Sequence, residues 1–332
     1  MSQLLRGKTM EKLAIGIDLG GTNLKGIVMG SDGEGRHVTR VPTEAQKGGQ
    51  QVLQNILTLV DLLVQKVHGE AEILGVGLGS PGFIDKDGTV LGGAENLPGW
   101  KGTQIYAPIM ERFGLRTTAA NDVTVAALAE LKYGAGKGVD NLVCFALGTG
   151  IGGGIAINGR LYKGTHGMAG ELGHIVVETD GVQCNCGQRG CVERYASATG
   201  IVRLAREYAA GAAEGEKTPF VRVVNEKPSE VTSKMVYDYV AEKDPVALKV
   251  HETACEMLGR AVGITLNALA PDRVVLGGGV MMAGEVILEG VSRHGSRYCW
   301  PAIFERCDIV SAQMGEDAGV MGAAGMVFEE LG

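Results

Sequence analysis

The sequence Leu-Ala-Ile-Gly-Ile-Asp-Leu-Gly-Gly-Thr-Asn occupies residues 13–23 and continues as a second apolar run over residues 24–29. The apolar run that ends at Asp18 predicts a buried strand, and the glycines after it predict a hairpin turn. Glycine leaves the backbone amides of such a turn uncovered, so that they can hold phosphates while Asp18 holds hydrated magnesium. A simple hairpin turn with a polar rim would explain the same residues.

A second stretch of the chain repeats this pattern. Residues 142–157 read Leu-Val-Cys-Phe-Ala-Leu-Gly-Thr-Gly-Ile-Gly-Gly-Gly-Ile-Ala-Ile, which is again a strand, a glycine turn with a threonine, and a strand. Ala146 stands where the first copy has Asp18, so only the first copy keeps an acid directed at a metal ion. The repetition predicts two related lobes that face each other across a cleft. Phosphates would lie between the two glycine turns, and Thr149 would donate its hydroxyl or amide to them.

The remaining segments alternate between predicted helices and strands. Apolar periodicity predicts elements over residues 51–67, 73–78, 123–133, 198–210, 246–270 and 273–276, and a final helix after residue 319. After the strand at 273–276 comes a third glycine turn, where a nucleotide would lie against the bare backbone of Gly278 and Gly279. Residues 211–231 are charged and contain glycine and proline, which predicts a solvated excursion. Residues 1 to about 10 show no pattern.

Residues 171–193 combine thiols, an imidazole and two acids. The soft donors form the ligand set of a closed tetrahedral zinc site: His174, Cys184, Cys186 and Cys191. Gly187 and Gly190 allow the short loop to turn so that its thiolates converge. Glu171 and Glu193 fit substrate contacts better than zinc ligands, because hard carboxylates are unfavourable neighbours in a thiolate site. We therefore predict a zinc knuckle that holds two carboxylates and a histidine at the rim of a pocket.

Three further polar segments allow two interpretations each. Asn121 and Asp122 precede an alanine-rich amphipathic helix, where Asn and Asp are preferred N-caps. A carboxylate at a helix start is also well placed to take a proton from a substrate hydroxyl. The loop that begins at Asn96 and the turn at residues 79–82 are either plain chain reversals or polar groups at a pocket.

The composition excludes several classes of protein. A chain of 332 residues is long enough for two lobes, and its net charge of −7 without any block of Lys and Arg argues against binding nucleic acid. The seven cysteines are an odd number, which argues against a disulfide framework and for a reducing cytoplasm. No apolar run has the length of a signal peptide or of a membrane span, so we expect a cytoplasmic protein.

Together these motifs resemble the ROK family (repressors, open reading frames and kinases) over residues 13 to about 330. The motifs that carry the resemblance are Asp18-Leu-Gly-Gly-Thr-Asn, Ser80-Pro-Gly, Asn121-Asp122, Gly148-Thr-Gly-Ile-Gly-Gly-Gly, Glu171-Leu-Gly-His, the Cys-x-Cys-Gly-x-x-Gly-Cys-x-Glu of residues 184–193 and Leu276-Gly-Gly-Gly. The resemblance implies an α/β fold, the two-lobed actin-like ATPase domain with ribonuclease H-like duplicated lobes and a nucleotide cleft. The smaller lobe would comprise residues 1–120 and about 317–332, and the larger lobe residues 121–316 with the zinc knuckle.

The resemblance also implies ATP-dependent phosphorylation of a hexose, with glucose as first choice and a homodimer or homotetramer as the assembly. Asp122 would be the base on the 6-hydroxyl of the sugar. The other sugar contacts would be Asn96, Asn121, Glu171, His174 and Glu193. The groups around Mg²⁺ and ATP would be Asp18, Gly20, Gly21, Thr22, Asn23, Thr149, Gly150, Gly278 and Gly279. The zinc would be structural, and His174 would use one ring nitrogen for zinc and the other for the sugar.

Other functions remain as alternatives. The alternative substrates are an N-acetylhexosamine (mannosamine or glucosamine type) and then fructose. The alternative phosphoryl donor is polyphosphate. A sugar-responsive repressor of this family would need a winged helix-turn-helix ahead of Asp18, for which the seventeen preceding residues are too few. A sugar sensor without activity would be expected to have lost Asp18 or Asp122, and both are present.

Overall fold

The computed structural model describes residues 10–94 and 96–332. Apart from Met10, the segment of residues 1–10 for which no pattern was found lies outside the described residues. The chain divides into two compact units. The first unit consists of the N-terminal part of the chain up to Tyr133, together with Lys163–Ala169 and Glu316–Gly332. The second unit consists of Gly134–Tyr162 and Gly170–Gly315.

The regular elements of the described residues follow the chain in this order. The strands are β1 (Glu11–Leu19), β2 (Asn23–Gly30), β3 (Gly35–Pro42), β4 (Ala71–Ser80), β5 (Phe83–Ile84), β6 (Val90–Gly92), β7 (Thr117–Asn121), β8 (Leu142–Leu147), β9 (Ile151–Ile157), β10 (Arg160–Leu161), β11 (Arg273–Gly277) and β12 (Asp308–Ser311). The helices are α1 (Gly49–Val67), α2 (Tyr106–Phe113), α3 (Asp122–Tyr133), α4 (Glu193–Ala196), α5 (Ala198–Ala210), α6 (Pro219–Glu226), α7 (Ser233–Ala241), α8 (Pro245–Leu269), α9 (Glu285–Gly295), α10 (Pro301–Phe304) and α11 (Ala318–Glu330). Short 3₁₀ helices lie at Ala45–Lys47, Leu172–His174, Glu214–Glu216, Gly279–Ala283 and Gly315–Asp317.

The first unit is built on a five-stranded sheet of order β3-β2-β1-β4-β7. β1 and β2 form the antiparallel hairpin expected from the glycine turn, while β4 and β7 continue the sheet in parallel to β1. Alternate residues of β1 face different helices, as the period of a strand requires. Leu13, Ile15 and Ile17 pack in one cluster with α1, and Ala14 packs in another with α11.

Glycines set how closely α11 approaches this sheet. A Cβ at Gly16 would lie 2.1 Å from the carbonyl oxygen of Val320, and one at Gly77 would lie 1.8 Å from that of Ala323. No side chain fits in that space, so the backbone of α11 lies directly on β1 and β4. The last helix of the chain thereby covers the strand that carries the first glycine turn.

The second unit repeats the architecture. Its five-stranded sheet has the order β10-β9-β8-β11-β12, in which β8 and β9 form an antiparallel hairpin and β11 and β12 run parallel to β8. Strands 1, 2, 3, 4 and 7 of the first sheet therefore correspond to strands 8, 9, 10, 11 and 12 of the second. The duplication predicted from the two glycine turns is confirmed at the level of strand order and direction.

One predicted feature of the second unit is wrong. Residues 211–231 were expected to form a solvated excursion, but they contain α6, which buries Phe220, Val221 and Val224 in the core. Thr218 caps this helix by accepting a hydrogen bond from the amide of Val221 at 3.2 Å, and Pro219 occupies its first turn. Three apolar residues at helical spacing were outweighed in the prediction by the charged residues around them.

Among the described residues, every helix is too short or too polar to cross a bilayer.

Candidate active site

In the first unit, three neighbouring parallel strands end together and bring polar side chains to one edge of the sheet. Asp18 of β1 lies opposite Gly79 of β4, and Ser80 of β4 lies opposite Asn121 of β7. Asp122 follows Asn121 as the first residue of α3. The carboxyl edge of parallel strands is where ligands bind in open α/β sheets. The structure therefore brings Asp18, Asn121 and Asp122, which lie far apart in sequence, to one place.

Asp18 is a partly buried acid beside a second acid. Burial is the main cause that raises its pKa to about 6, the negative charge of Asp122 adds to the rise, and the positive charge of Lys25 opposes it. Its carboxylate makes no hydrogen bond or ion pair with any residue in the described part of the chain. An acid with this environment suits a cation, so the structure fits the expected association of Asp18 with magnesium.

Lys25 is a component of this site that the sequence analysis missed. It lies opposite Asp18 in the β1–β2 hairpin and is buried. Its Nζ lies 2.5 Å from Oδ1 of Asp317 and 3.0 Å from the carbonyl oxygen of Glu316, which fixes the start of α11 beside Asp18. The available signal was a single charge inside the apolar run of residues 24–29.

Asn121 and Asp122 both cap α3. The amide of Val123 donates to Oδ1 of Asn121 at 3.0 Å and to Oδ1 of Asp122 at 2.8 Å. Burial raises the pKa of Asp122, while the hydrogen bonds from Val123 and Asn121 work in the opposite direction. A cap alone does not require a carboxyl group that is so deeply desolvated, so the capping role leaves a chemical role open.

The first glycine turn (residues 20–23) presents backbone amides outward. The amide of Gly20 donates to the carbonyl of Asn23, and Thr43 donates from Oγ1 to the carbonyl of Gly20 at 2.6 Å. The amide of Thr43 donates to the carbonyl of Thr22 at 2.9 Å. Within the described residues, the amides of Gly21 and Thr22 have no hydrogen-bond partner. Two successive free amides are an anion-binding arrangement.

The loop that begins at Asn96 is fixed by a buried tryptophan. Trp100 is fully buried and donates from Nε1 to Oγ of Ser80 at 3.0 Å, which joins this loop to the turn after β4. A Cβ at Gly21 would lie 3.9 Å from Nδ2 of Asn96, so the amide of Asn96 adjoins the first glycine turn. Both loops of uncertain meaning thus belong to the edge of the sheet that carries Asp18.

The second glycine turn (residues 148–150) also leaves two successive amides free. Its three carbonyl groups accept from the amide of Ala198 at 2.9 Å, from Oγ1 of Thr199 at 2.8 Å and from the amide of Gly148 at 2.9 Å. Oε2 of Glu193 accepts from the amide of Ile151 at 3.1 Å. In the described chain, the amides of Thr149 and Gly150 have no partner.

The third glycine turn lies beside the second. Gly278 has a φ of 91°, and a Cβ on it would lie 2.6 Å from the carbonyl oxygen of Leu147, the residue just before the second turn. A Cβ on Gly279 would meet no atom within 4 Å. The structure thus brings Gly278 and Gly279 together with Thr149 and Gly150 in one unit.

The donor atoms of the predicted zinc knuckle converge: His174, Cys184, Cys186 and Cys191 all place a donor atom within 4.8 Å of one another. Sγ of Cys186 lies 3.6 Å from Sγ of Cys191, and Nδ1 of His174 lies 3.6 Å from Sγ of Cys184. A tetrahedron with zinc–sulfur bonds of about 2.3 Å has sulfur–sulfur edges of about 3.8 Å. The two distances of 3.6 Å are close to this edge, so the donor set fits a zinc ion.

The loop geometry supports this convergence. Gly187 and Gly190 have φ values of 95° and 76°, in the left-handed region that favours glycine. Burial is the main cause that raises the pKa of Cys191 to about 12. A thiolate at this position therefore requires a compensating cation.

The two acids of the knuckle adjoin different members of this cluster. Nε2 of His174 lies 3.8 Å from Oε2 of Glu171, whereas Nδ1 is the ring nitrogen close to Cys184. Oε1 of Glu193 lies 3.6 Å from Sγ of Cys184, and its other oxygen accepts from Ile151. The structure thus places Glu193 between the Cys3His cluster and the second glycine turn.

These features define a class of protein. Two copies of the same five-stranded sheet, each with a glycine hairpin that offers free amides, are the actin-like ATPase fold. Residues 14–330 match the sequence profile of the ROK family, and the chain belongs to that family.

Known proteins of this family are similar over nearly the whole chain. The chain is 36% identical to the glucokinase of Halalkalibacterium halodurans over 318 residues, which is 95% of each protein. It is 34% identical to the glucokinase of Thermotoga maritima over 322 residues, 96% of this chain and 98% of that one. The crystal structure of a ROK family glucokinase from Streptomyces griseus in complex with glucose and AMPPNP superimposes with a TM-score of 0.75 at 29% identity, covering 96% of this chain and 99% of that chain.

Proposed function

We propose that this protein is an ATP-dependent glucokinase that transfers the terminal phosphoryl group of ATP to the 6-hydroxyl of glucose. The observation that carries the proposal is the position of Asp122: a desolvated carboxyl group at the strand edge that also holds Asp18 and Asn121. The relatives named above, at 34–36% identity, support glucose as the sugar.

The role proposed for Asp122 is that of general base. Because burial raises its pKa, this carboxylate binds a proton more readily than an exposed aspartate. Fixed to the start of α3 by the amide of Val123, it would accept the proton of the 6-hydroxyl as the oxygen attacks phosphorus. Asn121 next to it would bind a neighbouring sugar hydroxyl.

The glycine turns are proposed to bind the phosphates of ATP. The free amides of Gly21 and Thr22 in one unit, and of Thr149 and Gly150 in the other, would donate hydrogen bonds to phosphate oxygens. Mg²⁺ held near Asp18 would neutralise charge on the transferred group, which phosphoryl transfer requires more than covalent assistance. Gly278 and Gly279 would lie against the nucleoside.

The knuckle is proposed to bind structural zinc and to orient the remaining sugar contacts. With all four donors directed at the metal, no coordination position is open for substrate. Nε2 of His174, on the side of Glu171, would face a sugar hydroxyl. Asn96, Glu171 and Glu193 would complete the recognition of hydroxyl groups, which buried polar partners can distinguish strongly.

We also propose a cytoplasmic homodimer or homotetramer. Trp300 and Met282 are 71% and 89% exposed, and we propose that they lie in the interface with a second copy. Size-exclusion chromatography with light scattering would give the mass of the particle.

The test of the proposed function is ADP release from Mg-ATP with glucose, N-acetylmannosamine, N-acetylglucosamine, fructose or mannose, against a blank without sugar. We expect turnover with glucose at least about tenfold above the other sugars in kcat/KM. A preference for an N-acetylhexosamine or for fructose would replace glucose as the substrate. Absence of turnover with every sugar, in protein that contains zinc, would overturn the proposal, and polyphosphate would be the next donor to test.

Asp18→Ala is predicted to weaken the productive Mg-ATP state. Without this carboxylate, the magnesium concentration that gives half-maximal rate should rise about tenfold or more, while the KM for glucose should change little. The measurement is the initial rate against magnesium concentration at fixed ATP. Asp85→Ala is the control, because the Asp85 carboxylate accepts from the amides of Asp87 and Thr89 in a turn of the first unit. An unchanged magnesium dependence in Asp18→Ala would contradict the assignment.

A further inference from the structure

The second glycine turn is positioned by residues from another part of the chain. We define the junction as residues 193–199, the short helix α4 and the first residues of α5. The amide of Ala198 donates to the carbonyl of Gly148, and the hydroxyl of Thr199 donates to the carbonyl of Thr149 at 2.8 Å. Two of the three peptide carbonyls of the turn are thus bound by the junction.

This arrangement decides where the free amides point. A peptide group is planar, so a carbonyl that is bound on one side directs the amide of the same peptide to the other side. In the peptide group that joins Thr149 to Gly150, the carbonyl belongs to Thr149 and accepts from the hydroxyl of Thr199, and the amide belongs to Gly150. Because Thr199 holds that carbonyl, the amide of Gly150 is directed away from the junction, next to the free amide of Thr149.

Glu193 holds the other end of the turn. Its Oε2 accepts from the amide of Ile151, and a Cβ on Gly150 would lie only 2.3 Å from this oxygen. Its Oε1 lies 3.6 Å from Sγ of Cys184, so the same side chain adjoins the Cys3His cluster. Ser197 stabilises the junction by donating to the carbonyl of Glu193 at 2.6 Å and by accepting from the amide of Gly200 at 3.0 Å.

The first unit uses the same device independently. There the hydroxyl of Thr43 donates to the carbonyl of Gly20, and its amide donates to the carbonyl of Thr22. In each unit a threonine from a different segment binds a carbonyl of the glycine turn, and two successive amides remain free. The two threonines bind different carbonyls, those of Gly20 and Thr149, but in both units the two amides left free are those that follow the corresponding residues Gly20 and Gly148.

We propose that Thr199 is a positioning residue for the nucleotide, which fixes the second glycine turn so that its two free amides bind a phosphate of ATP. This inference rests on the proposed function of the turn as a phosphate site. It assigns Thr199 no contact with the substrate, and it assigns Glu193 a share in holding the same turn.

The test is the affinity for Mg-AMPPNP, measured by isothermal titration calorimetry without sugar. Thr199→Val removes the hydroxyl at constant shape and should raise the Kd about tenfold, whereas Thr199→Ser keeps the hydroxyl and should restore it to within about threefold of the unsubstituted protein. Thr199→Ala repeats the test without branching at Cβ. In turnover, the KM for ATP should rise while the KM for glucose stays unchanged.

Thr58→Val is the matched control, since Thr58 is also exposed and donates to a backbone carbonyl, that of Gln54 in α1, at 2.9 Å. It should leave the Kd unchanged, and all variants should keep the same zinc content. A Kd for Thr199→Val within twofold of the unsubstituted protein, or no recovery in Thr199→Ser, would overturn the inference alone. If the unsubstituted protein did not bind Mg-AMPPNP at all, both the role of Thr199 and the proposed function would be overturned. If nucleotide binding depended on Thr199 as expected but no sugar were turned over, only the proposed sugar kinase activity would be overturned.

Discussion

Asp122→Asn is expected to lower kcat by roughly a thousandfold and to leave the affinity for glucose nearly unchanged. The asparagine has the same shape and retains an oxygen that can accept from the amide of Val123, so α3 keeps its cap. It cannot take up the proton of the 6-hydroxyl. Steady-state kinetics together with sugar binding measured by calorimetry would separate the loss of chemistry from a loss of binding.

The same substitution is expected to leave thermal stability equal or higher at neutral pH. Burial raises the pKa of Asp122 in the folded state above its value in the unfolded chain. Between these two values the folded state binds more protons, so stability falls as the pH rises through this window. Above it the native protein carries the full cost of a desolvated charge, which asparagine removes. Melting temperatures of both proteins between pH 4 and 8, without ligands, should therefore converge at the acidic end.

The pH dependence of activity in the unsubstituted protein should reflect the raised pKa of Asp122. Because the base must be ionised, kcat/KM should decline on acidification at a higher pH than an exposed aspartate would give. Asp244→Asn is the matched control: Asp244 is also buried and caps α8 by accepting from the amides of Val246 and Ala247. Its kcat should stay within about threefold of the unsubstituted enzyme. If Asp122→Asn behaved like Asp244→Asn, Asp122 would be a cap and nothing more.

The contrast between these two aspartates shows what a sequence can predict. A helix cap is a local feature, and the residues at the start of α3, taken alone, favoured a plain cap over a chemical role. What distinguishes Asp122 is its neighbour Asp18, brought close by the pairing of β1 with β4 and of β4 with β7. The local pattern predicted the glycine hairpins and the duplication correctly, because the apolar runs and the glycines lie within single segments.

Contacts between segments that lie far apart in the chain could not be predicted from the sequence. Lys25 binds Asp317 across 292 positions, and Thr199 reaches the carbonyl of Thr149 across 50 positions. Neither residue belongs to a motif, and lysine and threonine are common on surfaces. Phe220 was missed for a related reason: its helix has only eight residues and lies among charged neighbours, and its burial against the rest of the second unit makes it part of the core.

The convergence of the Cys3His cluster was predictable because its four donors lie within one short segment, and loss of the zinc proposed to bind there is the second large effect. Cys191→Ser is expected to abolish stoichiometric zinc and to lower the melting temperature by about 10 °C. This corresponds to about 4 kcal/mol at a few degrees per kcal/mol, since binding of a structural metal contributes to folding. Zinc content by elemental analysis and melting by calorimetry are the two measurements.

Cys255→Ser tests whether any buried cysteine beside a histidine would give this result. Cys255 is as buried as Cys191, and its Sγ lies 3.5 Å from Nδ1 of His251, but these two residues belong to no group of three or more metal donors in the described chain. Its substitution should leave the zinc content at one per chain and cost only the burial of a hydroxyl. Since Glu193 adjoins Cys184 and also holds the second glycine turn, Cys191→Ser should in addition weaken binding of Mg-AMPPNP at temperatures where the protein is still folded. Full stability and unchanged nucleotide affinity in zinc-free Cys191→Ser would show that the cluster neither supports the fold nor positions the turn.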